Sequence, residues 1–127
     1  MKFQLIKEVY AHCDLPCGIY DPIQAKVEAL SLKAILEKYD TLDEHGKMRA
    51  VIIKEERAEL VKHHLMVLWA DYFKEEHLLK YPNLHDLFWK AIKQASNVKQ
   101  HLDIASAEQL LEQIDEISKI FFETKKA

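Results

Sequence analysis

The stretch His12-Cys13-Asp14-Leu15-Pro16-Cys17-Gly18 holds both cysteines of the chain, a histidine beside the first of them, and a proline and a glycine that can fold the backbone over. Two thiols four residues apart with one imidazole can do several kinds of chemistry. They can form a reversible disulfide in an otherwise ordinary loop. They are a weak match to zinc, which in a structural site asks for a fourth protein ligand. Soft thiolates combined with nitrogen donors suit copper or nickel better, because the divalent ions of both accept square-planar geometry. Spacing alone leaves these choices open.

The rest of the chain offers no competing catalytic constellation. A di-iron carboxylate site in a helical bundle needs Glu-x-x-His pairs. The residues three before the seven histidines are Val9, Leu42, Leu60, Val61, Lys74, Pro82 and Val98, so none is a glutamate. No His-Glu-x-x-His zinc motif and no glycine-rich phosphate loop occurs. His63 and His64 are adjacent, and on a helix they point about 100° apart, which prevents them from clamping one ion. Two cysteines do not make a disulfide framework. A net charge of −3, without a basic block, argues against a nucleic-acid partner. No apolar run reaches the roughly 18 residues of a membrane span, and residues 1–11 are too short and too charged for a secretory signal.

The elements that must carry the cysteine loop are helical. Only two glycines and three prolines occur in 127 residues, too few for the turns of a β-sandwich or barrel. Asp21-Pro22-Ile23-Gln24 reads as a helix start, with Asp21 as cap, Pro22 at the first position and Gln24 as a capping-box partner. From it Ile23, Val27, Leu30 and Ala34 predict an inward face, up to about Tyr39. A polar loop is expected over Asp40–Gly46. A long helix follows, with Met48, Val51, Ile52, Ala58, Val61, Leu65, Leu68, Trp69 and Tyr72 inward and Lys54, Glu56 and Glu59 outward. A connection over Lys74–Tyr81 leads to a helix opened by Pro82 and carrying Leu84, Leu87, Phe88, Ala91 and Ala95. Ser106-Ala107-Glu108-Gln109 reads as a capping box for a last helix, with Leu110, Leu111, Ile114, Ile117 and Phe121 inward. Short connections favour antiparallel neighbours, so the expected architecture is an all-α, up-down four-helix bundle behind an irregular N-terminal loop.

The segment from His12 through Asp21-Pro22 closely resembles the nickel hook of nickel-containing superoxide dismutases. Ile53-Lys54-Glu55-Glu56-Arg57-Ala58-Glu59-Leu60, Lys62-His63-His64-Leu65, Asp71-Tyr72-Phe73-Lys74 and Glu123-Thr124-Lys125-Lys126-Ala127 are similar to further segments of that family. The resemblance covers nearly everything after residue 11. It implies a leader at 1–11, a nickel hook at 12–20 and a four-helix bundle at 21–127. A maturation peptidase would cut between Ala11 and His12.

The implied ligands of one nickel ion per subunit are the α-amine and axial imidazole of His12, the backbone nitrogen and thiolate of Cys13, and the thiolate of Cys17. Cleavage then has a chemical reason: an amide nitrogen is a far poorer donor than an amine, whose pKa near about 8 lets it lose its proton on metal binding. Thiolates and a deprotonated amide should stabilise nickel(III), so that the metal alternately oxidises superoxide to dioxygen and reduces it to hydrogen peroxide. The resemblance also implies a cis Leu15-Pro16 bond and a helping role for Asp14 in fixing the hook. It assigns Glu28 and Arg57 to holding the axial imidazole, Tyr20 and Tyr72 to restricting access, and Lys74 and Lys99 to attracting the anion. Glu75-Glu76 departs from the family pattern, which has a proline pair there. The family further implies a homohexamer, and the lack of a signal peptide points to the cytoplasm. A non-enzymatic nickel- or copper-binding bundle is the main alternative; a helical interaction protein with a cysteine redox switch is a third.

Overall fold

A computed structural model describes residues 18–126. Its helices are α1 (Ile23–Tyr39), α2 (Glu44–Val67), α3 (Glu75–Lys80), α4 (Leu84–Gln100) and α5 (Ile104–Lys125), with a π-helical turn over Leu68–Tyr72 that ends α2. The expected all-α bundle is what the chain forms. α1 packs on α2 and α5, and α4 packs on the same two, so the four long helices enclose one core in a square. The short connections 40–43 and 101–103 make α1–α2 and α4–α5 antiparallel hairpins.

The helix starts follow local chemistry, in places a residue or two from where the sequence suggests. Asp21 does cap α1, its Oδ1 accepting from Ile23 N–H at 2.8 Å, while Gln24 makes no capping bond among the described residues. α2 starts inside the expected loop, because Asp43 caps it by accepting from Gly46 N–H at 2.7 Å. Gly46 makes that approach possible: a Cβ there would stand 2.9 Å from Asp43 Oδ1 and 3.2 Å from Leu42 Cβ. α5 likewise begins before the predicted capping box, with Asp103 Oδ1 accepting from Ala105 N–H. Ser106 turns back to donate to the Asp103 carbonyl at 2.7 Å instead. The connection 74–81 contains the unforeseen short helix α3, which buries none of its residues.

Two inward faces differ from expectation. On α1 the core side is Ala25, Ala29, Leu32 and Leu36. Ile23, Val27 and Leu30 are about half exposed, at 52%, 49% and 47%, and Ala34 is exposed too. Both stripes have helical spacing. The buried one carries two alanines, whose small side chains let neighbouring helices approach closely. On α2 the core stripe runs Ala50, Lys54, Ala58, Val61, Leu65 and Leu68. Met48 and Ile52 point to solvent, Val51 is half-buried, and Trp69 and Tyr72 lie at the margin of the core.

Lys54 is therefore not an outward charge. It is 2% exposed, and its ammonium donates to the carbonyls of Val98 at 2.7 Å, Lys99 at 2.5 Å and His101 at 3.0 Å. These carbonyls belong to the end of α4, where the last turn has no intrahelical donors and the helix dipole is negative. Three acceptors match the three N–H groups of an ammonium; a neutral amine has only two. Burial pulls this group below the ordinary lysine pKa, with the Glu55 charge pulling the other way.

The predicted faces of the last two long helices agree with the structure. Leu84, Leu87, Phe88, Ala91 and Ala95 of α4 are buried, as are Leu110, Ile114, Ile117 and Phe121 of α5, with Leu111 packed at the edge.

Candidate metal-site entrance

His12, Cys13, Asp14 and Cys17, together with the Leu15-Pro16 bond, lie outside the described residues. Gly18 has φ of +70°, a left-handed conformation that costs an L-residue about 1–2 kcal/mol and that glycine adopts freely. A Cβ at Gly18 would meet nothing within 4 Å, so the requirement is conformational rather than one of space.

Gly18 and Tyr20 form one wall of a cleft of about 350 Å³ whose other walls are Asp71, Tyr72, Lys74, Glu76 and His77. The end of α2 builds the opposite side. There Phe73 N–H donates to the Leu68 carbonyl at 3.0 Å, closing the wide π turn, and Phe73 continues in extended conformation. Such turns insert one extra residue into a helix and recur at functional sites.

Tyr72 is fixed from several sides. Its ring centroid lies 5.7 Å from that of Tyr20 and 4.4 Å from that of Phe121, and the Lys125 ammonium stands 5.2 Å over it. Its hydroxyl is 2.7 Å from Thr124 Oγ1. Because Thr124 spends its single proton on the Phe121 carbonyl, at 2.6 Å, the Tyr72 O–H is the donor in that pair.

The other carried-over residues lie elsewhere on the chain. Arg57 Nη1 donates to Glu28 Oε2 at 2.9 Å, joining α2 to α1 in a partly buried ion pair. Arg57 Nε is buried without a hydrogen-bond partner among the described residues. The interval from Arg57 to Leu68 corresponds to about 16 Å of helix, so the pair sits well down the bundle from the cleft. Lys99 is not at the cleft either. It donates to Glu59 Oε1 at 2.9 Å and lines a separate groove with Val51, Ile52, Glu55, Glu56 and Leu60. That hydrogen bond, followed by the nearby Lys62 charge, holds the Glu59 carboxyl below its ordinary pKa, and the Lys99 ammonium is raised in return. One chain thus brings Tyr20, Tyr72 and Lys74 together and leaves Glu28–Arg57 and Lys99 apart from them. His77 and Glu76 complete the cleft. The sequence signal for His77 is its place three residues after Lys74, from which an acceptor side chain can reach back to the N–H of the residue that precedes the helix.

Among the described residues no group of three or more His, Cys, Asp or Glu side chains could hold a metal ion, and no helix is long and apolar enough to cross a membrane. The described residues form an all-helical bundle with a tyrosine-lined cleft at Gly18, the residue that follows in sequence a Cys/His segment whose residue types suit nickel or copper. The model of the nickel-containing superoxide dismutase family matches residues 7–125. The chain belongs to that family. It is 55% identical over 121 residues to the nickel superoxide dismutase of Streptomyces seoulensis, covering 94% of this chain and 92% of that one. Its identity to the Streptomyces coelicolor protein of the same name is 54% over 120 residues, with the same coverage. A native nickel superoxide dismutase structure superposes with a TM-score of 0.89 at 54% identity, covering 91% of this chain and all of the other.

Proposed function

We propose that this chain is a superoxide dismutase that matures by cleavage between Ala11 and His12, binds one nickel ion per subunit through His12, Cys13 and Cys17, and works as a cytoplasmic homohexamer. The donor set fits nickel, since two thiolates and nitrogen donors accept its square-planar geometry. When bound, nickel supplies a one-electron couple that can both oxidise and reduce superoxide.

The Glu28–Arg57 pair carries the enzymatic reading over mere metal storage. Arg57 occupies one carboxylate oxygen of Glu28, so the other can accept an imidazole N–H and hold His12 in one orientation. The buried, unpartnered Arg57 Nε calls for a further acceptor from outside the described residues. A storage protein has no need of an oriented imidazole. Tyr20 and Tyr72 narrow the approach and keep larger anions and reductants away, while Lys74 gives superoxide a positive charge at the mouth of an acidic protein.

One observation supports assembly. The half-exposed Ile23, Val27 and Leu30, with Met48 and Ile52, form apolar surface of the kind that subunits cover.

The test is to co-express the chain with nickel and a cleaving activity, then measure N-terminal mass, bound metal and superoxide consumption. Nickel-loaded protein that begins at His12 and consumes superoxide is the expected result. Loaded, cleaved protein without activity would favour the storage alternative, and activity in uncut protein would exclude the proposed amine ligation.

Glu76 gives a finer prediction. It lines the cleft beside Lys74, whereas Glu75 does not, so of the two carboxylates that replace the family's prolines only one opposes the incoming anion. Glu76→Gln should raise kcat/KM about twofold at low ionic strength. The gain should vanish near about 1 M salt, where charges are screened within about 3 Å. Equal rates for both proteins at every salt concentration would contradict it.

A further inference from the structure

His77 touches two of the residues that form the entrance. Its ring lies parallel to Tyr72, with an interplanar angle of 9° and centroids 5.8 Å apart. The edge of Phe73, itself buried, closes on it at 5.6 Å and 88°. Its Nδ1 accepts from Lys74 N–H at 3.0 Å, and its own backbone N–H donates to the Lys74 carbonyl at 2.9 Å. Acceptance at Nδ1 makes Nε2 the protonated nitrogen of the neutral ring. The imidazole is thus held in one orientation by two aromatic rings and a backbone bond.

The backbone of α3 holds Lys74 by its carbonyl alone, through the N–H groups of His77 at 2.9 Å and Leu78 at 3.3 Å. The helix has six residues and no buried side chain, and Lys74 precedes it in extended conformation. Without the imidazole, nothing else among the hydrogen bonds of α3 ties Lys74 N–H, and one face of Tyr72 opens toward the cleft.

We propose that His77 is a positioning residue of the entrance, which stacks on Tyr72 and pins the backbone of Lys74 so that phenol and ammonium meet the incoming superoxide in fixed places. This rests on the dismutase reading above. Two contacts imply two separable roles. Gln at the third position of a short helix can accept the same backbone N–H, as in a capping box, but offers no ring. Phe restores the stack but has no acceptor.

The experiment uses mature, nickel-loaded protein carrying 3-fluorotyrosine, with the Tyr72 fluorine resonance identified by Tyr72→Phe. His77→Ala should lower kcat/KM about three- to tenfold, with a smaller effect on kcat, leave nickel content unchanged and move the Tyr72 resonance. His77→Gln should recover the ionic-strength dependence of kcat/KM that reports on Lys74, without recovering the resonance. His77→Phe should do the reverse. An unchanged kcat/KM and resonance in His77→Ala would overturn the proposal, and so would loss of activity in step with loss of nickel. If loaded, cleaved wild-type protein were inactive, the dismutase reading would fall instead, and the fluorine signal would still decide whether His77 holds Tyr72.

Discussion

Replacing Cys17 by serine in the mature chain is expected to abolish stoichiometric nickel binding and superoxide consumption while leaving the helical bundle folded. Serine keeps the size of the side chain but offers a neutral hydroxyl where the proposed centre needs a thiolate. The drop in nickel affinity should exceed the ~10–100-fold that follows loss of an outer hydrogen-bond partner of a metal ligand. The bundle should be indifferent, because its core is drawn from α1, α2, α4 and α5 and the π turn joining α2 to α3. Metal analysis, activity and a thermal melt on one sample separate the outcomes. Nickel retained at one per chain with full activity would remove Cys17 from the ligand set. A collapsed melt would show that the cysteine segment supports the bundle instead.

The second large effect falls on stability. Lys54→Met keeps the length of the side chain and removes the ammonium, leaving the Val98 carbonyl buried and the Lys99 and His101 carbonyls partly buried without their donor. Hydrogen bonds to a charged group contribute about 1.5–3 kcal/mol, and stranding buried acceptors adds to the loss. A destabilisation of about 2–4 kcal/mol is expected, seen as a melting temperature lower by roughly 10 °C. Lys54→Arg should not rescue it, because a rigid planar fork of donors does not match three carbonyls converging on one point. Denaturant unfolding with an unchanged slope would assign the loss to the native contacts. A midpoint equal to that of the parent would contradict the capping role.

These two residues mark where sequence reasoning reached and where it stopped. The cysteine segment stands out because residue type and close spacing are written locally, but that spacing leaves disulfide, zinc, copper and nickel open, and only the family resemblance points to nickel. α4 and α5 were legible because each carries one dominant apolar stripe. α1 was not, since it has two stripes of equal period and the choice between them depends on how closely a neighbour can approach. Lys54 was misread because periodicity treats any lysine as a surface residue. Position 54 continues the inward register of Ala50 and Ala58, and what makes a charge tolerable there is a helix end 44 residues away in sequence. The π turn continues the apolar stripe of α2 through Leu68, Trp69 and Tyr72, so periodicity reads it as ordinary helix, and α3 buries no residue; nothing in the sequence therefore announces the cleft they shape, although its tyrosines and Lys74 stand out.

The same lysine offers a practical gauge. Lys54 is the only buried lysine among the described residues, and its nitrogen is engaged by three carbonyls. An amine-acylating reagent will therefore modify the other lysines of the native protein while sparing this one. Label on Lys54 then records an opening of the α2–α4 junction, and its rate of appearance measures how often the bundle breathes, with and without added nickel.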